Sequence, residues 1–535
     1  MNATPQGLHL NIPFRVRIGV TGDRALPDSE GLAEKISEAI TTEIFNLYDE
    51  DSKKRIRSAR HTPLAYSVLT SLAEGAERLV AHEVLKTPDS RIEVVLPCAK
   101  EDYLKNFISP ESVREFRELL GRARRPITLN KGSIGDASQY IVDHCDVLLV
   151  LSDGEPSSGS STAETLAYAN MMERPVFRIS PALPHEISVE RGHGLNAKSI
   201  SGIERFNAFP VSHPEQEEYV TNVYHNLFDG EAGLPDEAKS EVREKLLPFY
   251  VRASRLAKRS QKLYRRAGLL IYAFSAAAVA AVALSIFPGL APWAFSLELG
   301  LLLTILVIVI YANQRRTHKK WIESRFLAER IRCANFLAAC GVEASPIRVL
   351  PYMGGAEQAD EWMVMTFNEI WGRLPTMKGC QGQCCTAFVE FARKRWIKDQ
   401  IGFHEKKAES SERISRRLEQ SGIVVFGLAV VAAALHLILL ALHVEWLERP
   451  LTFAAISLPA VGAAIGGIRT HREYSRLAKR SKNMAMNLKA LDERFSSINE
   501  PEALESLLRE TEELMLLETQ DWLMLMRFAK LEAAA

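Results

Sequence analysis

Residues Ala267–Phe287 read AGLLIYAFSAAAVAAVALSIF, about twenty positions without a charge, long enough to cross the hydrocarbon core of a bilayer. The break PGLAP follows, and Trp293–Ala312, WAFSLELGLLLTILVIVIYA, is a second apolar run with one acidic residue, Glu298. A second pair lies further on: Gly422–Leu442, GIVVFGLAVVAAALHLILLAL, and Leu451–Ile468, LTFAAISLPAVGAAIGGI, joined by HVEWLERP. Runs this long, in two tight hairpins, predict four transmembrane helices rather than buried core helices.

The flanks orient them. KLYRRAG precedes the first run, NQRRTHKK follows the second, SERISRRLEQ precedes the third, and RTHREYSRLAKRS follows the fourth, whereas the short loops carry only Arg449. The positive-inside rule places all four basic flanks, and both termini, on the cytoplasmic face. The heptapeptide SRLAKRS occurs at Ser254–Ser260 and at Ser475–Ser481, before one apolar run and after another, so both copies become basic collars on one membrane face. Trp293, Trp446 and Trp321 stand where interfacial aromatics are expected, and Gly462 and Gly466 form a GxxxG signal for close packing. Glu298 and His436 are the ionisable residues well inside the runs and hence the pore candidates. Glu298 is near enough to the outer end to read as an interfacial carboxylate, and for His436 lumen-facing and structural roles weigh equally.

Composition sets the frame. The 66 basic and 66 acidic residues cancel, so no nucleic-acid partner is expected. Seven unevenly spaced cysteines fit a reducing compartment rather than a secreted disulfide framework, and no signal peptide is visible at the N-terminus. Cys380, Cys384 and Cys385 in GCQGQCC lack a His at ligand spacing, so ordinary thiols are expected and no metal site.

The N-terminal part alternates apolar strands with helical stretches: FRVRIGVTGDR, IEVVLP, CDVLLVLSDG and PVFRIS, with SLAEGAERLVAHEVL, SPESVREFRELLGRA and STAETLAYANMME between or after them. That alternation predicts an α/β Rossmann-like doubly wound parallel sheet. Ligands of such sheets bind beyond the carboxyl ends of the strands. Three turns fit: Gly19, Thr21, Gly22 and Arg24 after the first strand; Glu74 and Gly75 at a helix start; and Asp153, Gly154, Gly159, Ser160, Ser161, Thr162 and Glu164 in DGEPSSGSSTAE. Donor-rich loops of this kind suit a phosphate or a ribose. None is a Walker loop or a G-x-G-x-x-G.

The ordered set GVTGDR, SLAEGAERLVA, VVLP, CDVLLVLSDG and GSSTAETLAYA, over about residues 14–185, resembles the SLOG superfamily, the Rossmann-like group of LOG nucleotide phosphoribohydrolases and DprA-type proteins. The LOG enzymes carry Gly-Gly-x-Gly-Thr-x-x-Glu with a catalytic Glu. Here the turn is Gly159-Ser160-Ser161-Thr162-Ala163-Glu164, with two glycines replaced, a shorter Thr-to-Glu spacing, and Asp23 where His is commoner in related sensors. The resemblance implies nucleotide binding, with Glu164 the catalytic residue if the domain is an enzyme. WIKDQIGFHEKKA (Trp396–Ala408) and ETEELMLLETQDW (Glu510–Trp522) resemble the sequences around the SLATT membrane-helix pair, and the first pair, with WIESRFLAERIR behind it, looks like a diverged copy. SLATT domains are predicted pore-forming effectors of bacterial conflict systems, and they accompany SLOG domains as proposed nucleotide sensors.

The expected organisation is a SLOG-like nucleotide-binding domain at 1–190, an extension at 191–240, a first transmembrane hairpin with cytoplasmic helices at 241–345, a helical connector at 346–410, and a SLATT-like hairpin with a C-terminal cytoplasmic helix at 411–535. The resemblance implies a bacterial inner-membrane, homo-oligomeric pore or ion channel in antiviral defence, its partners a nucleotide ligand and the bilayer, with no other cofactor required. The alternative is a membrane-tethered nucleotide N-glycosidase.

Overall fold

The computed structural model describes the chain except residues 1–9, 27–30, 108, 124, 130–131, 154–159, 191–194, 196, 210–212, 232, 345–360, 376–384, 499 and 528–535, and except the side chains of 213, 361, 385 and 518–527. The chain forms two compact units, one from 1–210 with 347–377 and the other from 211–346 with 378–535.

The first unit is built on seven strands in the order β4-β3-β2-β1-β5-β6-β7: β1 Phe14–Gly22, β2 Leu64–Thr70, β3 Arg91–Leu96, β4 Ile127–Thr128, β5 Val147–Leu151, β6 Val176–Ile179 and β7 Ile187–Glu190. β5, VLLVL, is buried at every position, as a strand covered on both faces must be. Helix α1 (Ala76–Val84) packs against β1 and β2, whereas α2 (Ile134–His144) and α3 (Ser161–Met171) pack on each other. α2 begins at a reciprocal cap, Ser133 and Asp136 each satisfying the other's backbone N–H. All pairings are parallel up to β6, but β7 runs antiparallel to it, so the sheet is mixed rather than wholly parallel. Four half-exposed edge residues, ISVE, carry too little apolar pattern to announce a strand.

In the second unit, α4 (Leu247–Ala283) and α5 (Ala291–Gln314) form one hairpin, and α6 (Thr317–Ala339) turns back along α4. After α7 (Glu361–Trp371), which belongs to the first unit, the build recurs: α8 (Asp399–Ala441) and α9 (Glu448–His471) form the second hairpin, and α10 (Tyr474–Phe495) turns back along α8. Each turn-back is made at a non-glycine residue in the left-handed region, Arg316 (φ 47°) and Glu473 (φ 50°). α11 (Pro501–Arg527) packs on α6 and α10. A fully buried ion pair, Arg330 Nη1 to Glu512 Oε1 at 2.7 Å, ties α6 to α11.

Among the described residues, four helices, one per apolar run, are long and apolar enough to cross a membrane. They pack in the order α5, α4, α9, α8. Large apolar side chains stand open on the outer two, for example Val307 at 64% and Ile423 at 67% exposure, which water would penalise and lipid would not. The close approach between the hairpins is made by different glycines from those expected. Tyr272 fills the space left by Gly467, and His471, four residues on, fills the space left by Gly268, itself four residues before Tyr272. Gly462 makes only ordinary contact with Val425, and nothing lies near Gly466. The GxxxG spacing is present, but the tight contact falls one residue away, because large side chains from the partner helix meet the backbone there. Trp293 and Trp446 are open at the short loops, as interfacial aromatics are, but Trp321 is buried against Tyr264 and His318.

Within the first unit, α7 underlies the amino ends of the strands. Arg15 on β1 donates through Nε to Glu369 Oε1 at 2.6 Å and through Nη1 to the carbonyls of Tyr66 and Asp89, and Arg91 on β3 reaches Glu369 Oε2 at 3.1 Å. Burial pushes the Glu369 carboxyl up, but the guanidiniums of Arg15 and Arg91 outweigh it and hold it below its ordinary range. Trp362 fills the space left by Gly202, and Arg125 lies 4.9 Å over the Trp371 ring. Asn207 clips Ile12 by two hydrogen bonds and also donates to the carbonyl of His61.

Candidate functional site

β1 and β5 are neighbours in the sheet, yet the chain runs outward from them in opposite directions, to β2 on one side and β6 on the other. This is the topological switch point of an open α/β sheet, where the loops leaving two strand ends part and open a crevice. The two ends are level, with Gly22 opposite Leu151.

At the end of β1, Thr21 is buried, Asp23 is half-buried and Arg24 is exposed. The Asp23 carboxylate accepts from the backbone N–H of Asp153 at 3.3 Å, which joins the first loop to the third. The exposed Asp153 accepts from Ser180 Oγ at 3.2 Å through its own carboxylate. Ser160 caps α3, its Oγ accepting from the N–H of Ala163, and the buried Thr162 donates to the carbonyl of Gly22 at 3.5 Å. Ser161 and Glu164 lie exposed in the first turn of the same helix. Gly154 and Gly159 fall outside the described residues. The structure thus brings Gly22, Arg24, Asp153, Ser160, Ser161, Thr162 and Glu164 to one end of the sheet, with the N–H groups of a helix start facing it. That arrangement is able to receive an anion: the helix start supplies oriented donors and Arg24 a mobile cation.

The glycines have another explanation. A Cβ on Gly19 would press on Ile141 and Cys145, so Gly19 admits α2 rather than a ligand. Gly22 lets the backbone of Leu151 and the side chain of Ala76 approach. Gly75, at φ 80°, leaves room for the carbonyls of Asp23 and Arg24, and Ala76 N–H donates to the Asp23 carbonyl at 3.0 Å. The groups that approach these glycines in the structure are the protein's own. Glu74 accepts from Ser112 Oγ, so its carboxylate is engaged within the unit.

Sequence reasoning missed the residues that rigidify the second loop. Glu77 accepts from Thr70 Oγ1 at 2.6 Å, from the N–H and Oγ of Ser71, and from the N–H of Ala73. Tyr103 donates to Ser71 Oγ at 3.2 Å, and burial with the nearby Glu77 charge pushes its hydroxyl up to about 12. Arg78 is buried and donates to Leu72, Ser112 and Glu115, while its Nη2 has no hydrogen-bond partner among the described residues. The signal was the adjacent pair Glu77-Arg78 at the start of a helix with the apolar positions Leu79, Val80 and Ala81 behind it, since a charge drawn into a buried face must be held by something. Cys145 beneath the site is an inert thiol, pushed up to about 12 by burial.

The pore candidates are placed by the helix packing. Glu298 falls on the partly buried stripe of α5 that includes Ala294, Ile305 and Ala312, the stripe that meets α4. His436 on α8 lies 3.3 Å from Thr452 Oγ1 on α9, a contact inside one hairpin. Cys380 and Cys384 and the side chain of Cys385 lie outside the described residues, among which no cluster of three or more metal-ligating side chains occurs.

Residues 391–522 match the family model described as SMODS and SLOG-associating 2TM effector domain 1. The matched stretch runs from just before α8 through α9 and α10 into α11, and the first hairpin lies outside it. No curated protein and no solved structure matches the chain. The C-terminal half therefore carries a SLATT-type effector domain with membrane-spanning helices, which points to a membrane effector of a defence-type system.

Proposed function

We propose that the chain is a sensor-effector: the N-terminal α/β unit binds a nucleotide or nucleotide-derived ligand at the open ends of β1 and β5, and ligand binding controls an oligomeric pore built from the four apolar helices. One observation carries the reading. A topological switch point with Arg24, Asp153 and the start of α3 at its open end occurs in the same chain as a matched two-helix effector domain. The ligand's phosphate meets the N–H groups of the α3 start and the Arg24 guanidinium, and Asp23 or Asp153 accepts from ribose hydroxyls. The bacterial cytoplasmic membrane, with both termini inside, is the location that the basic flanks support.

Geometry supports an oligomer. Four helices packed in a row, with their outer members open to lipid, enclose no aqueous path within one chain. Several chains around an axis do.

The test is dye release from vesicles containing the full-length protein, challenged with a panel of nucleotides. Release with one ligand class, lost in Arg24→Ala, supports the reading. Silence across the panel, with a protein that stays monomeric in mild detergent with and without ligand, overturns it. Glu164 separates sensing from hydrolysis, because it is exposed beside the helix start that receives the phosphate. Steady release of free base by the wild type, lost in Glu164→Gln, would show an N-glycosidase instead.

A further inference from the structure

At the basic end of the helical unit, several arginines are matched by carboxylates. Arg255 pairs with Glu215, Arg325 and Arg332 with Glu329, Arg393 with Asp492, and Arg469 with Glu419. Arg265 and Arg472 are different. Arg265 lies two positions before the first apolar run and Arg472 four positions after the fourth, and both are half-buried. Packing of α4 on α9 brings them together: Arg472 Nη2 lies 3.5 Å from the Arg265 carbonyl. The Arg265 guanidinium sits 5.9 Å over the buried Trp321 ring, and Arg472 Nη1 donates to Tyr474 OH at 3.2 Å. Among the described residues neither has a carboxylate within ion-pair distance. The acidic neighbour in sequence, Glu473, is engaged by Arg476 at 2.9 Å.

Two half-buried like charges without a counter-charge raise each other's free energy, and the natural relief is an anion between them. We propose that Arg265 and Arg472 form a phosphate site that takes the headgroup of an anionic phospholipid and so bridges the first and fourth apolar helices. Three features select this ligand. Guanidinium forks match phosphate oxygens in pairs, which an ammonium does not. The site stands where apolar helices end, the level at which a bilayer presents its own phosphates, and beside Trp321 and Tyr474. The two positive charges favour a headgroup with net negative charge over a zwitterionic one. The bridge adds to the interlock of Tyr272 with Gly467 and His471 with Gly268, which lies just inside it on the same two helices. The proposal rests on the membrane reading of the helices and is independent of nucleotide sensing.

The experiment is thermal unfolding of the full chain in a neutral detergent, titrated with phosphatidylglycerol, phosphatidylcholine or inorganic phosphate. Phosphatidylglycerol should raise Tm, since a ligand of the folded state stabilises it by mass action, and the other two should not. In Arg265→Gln/Arg472→Gln the concentration giving half the shift should rise about tenfold or more, the cost of losing charge-assisted hydrogen bonds. Arg266→Gln/Arg315→Gln, exposed residues at the same end, should keep the wild-type response. If the glutamine pair does not fold, Arg265→Lys/Arg472→Lys keeps the charge but loses the fork, and it should still weaken the response. An unchanged titration in both site variants, an equal loss in the exposed pair, or an equal shift with phosphatidylcholine would overturn the site. An equal shift with inorganic phosphate would overturn the lipid as its ligand.

Discussion

The two ends of the mostly parallel sheet are built from similar residues, yet one is closed and the other open. At the amino ends of β1 and β3, Arg15 and Arg91 meet Glu369 in a buried cluster, and α7, Asn207 and Trp362 close the space around it. At the carboxyl ends of β1 and β5, Arg24 and Asp153 are exposed, and a helix start faces them with its N–H groups. A charge with all its partners inside the protein contributes to order. A charge left at a strand end, beside unspent donors, is available to a ligand. The fold supplies this division of labour, because parallel strands all deliver their carboxyl ends, and the loops that leave them, to one side.

The comparison predicts that substitutions at the closed end will cost stability and that those of exposed side chains at the open end will not. The largest effect belongs to Glu369→Ala, which strands the buried Arg15 guanidinium and the half-buried Arg91 and should cost about 3–5 kcal/mol, read in urea unfolding followed by tryptophan fluorescence. A loss below about 1 kcal/mol would mean that α7 is not clamped as described. Next comes Gly75→Val, an open-end substitution that should behave like a closed-end one. The left-handed backbone and the carbonyls of Asp23 and Arg24 leave no room for a side chain, so about 2–3 kcal/mol should be lost, with or without any ligand.

Acid should act on the closed end selectively. The folded Glu369 carboxyl titrates below its ordinary value near 4.5, so between the two values the unfolded chain binds more protons. Its contribution is therefore complete above that ordinary value and is lost as pH falls through it and below the folded value. In a series of melts from pH 6 to pH 3, Glu369→Gln should start lower and fall less steeply than the wild type. Parallel curves would remove the ion cluster as the cause.

Arg24→Ala should change stability by less than about 0.5 kcal/mol and yet abolish any nucleotide-induced shift in Tm. Thr162→Ala should do both in part, costing about 1 kcal/mol through its lost hydrogen bond to the Gly22 carbonyl while weakening the ligand response. If Arg24→Ala unfolds the unit, or Thr162→Ala leaves the response intact, the open end is not the binding end.

Much of this architecture was decided within short windows of sequence. Four apolar runs and their basic flanks define two hairpins without any knowledge of packing, because the bilayer judges each segment by its own length and polarity. The buried strands of β1, β3, β5 and β6 are equally local, since apolar runs between helical stretches state their own periodicity. Tertiary structure decided the rest. ISVE became β7 only because β6 offered an edge, and EWMVMTFNEIW, read as part of a connector, packs instead with the N-terminal unit because Glu369 finds Arg15 and Arg91 there. Whether a glycine faces a ligand or the protein's own backbone is invisible in the sequence, and Gly19, Gly22 and Gly75 each turned out to admit a neighbour. The glycines that lock α4 to α9, and the two arginines brought side by side by that lock, lie some two hundred positions apart. Their meeting is a property of helix packing in three dimensions, and no spacing along the chain encodes it.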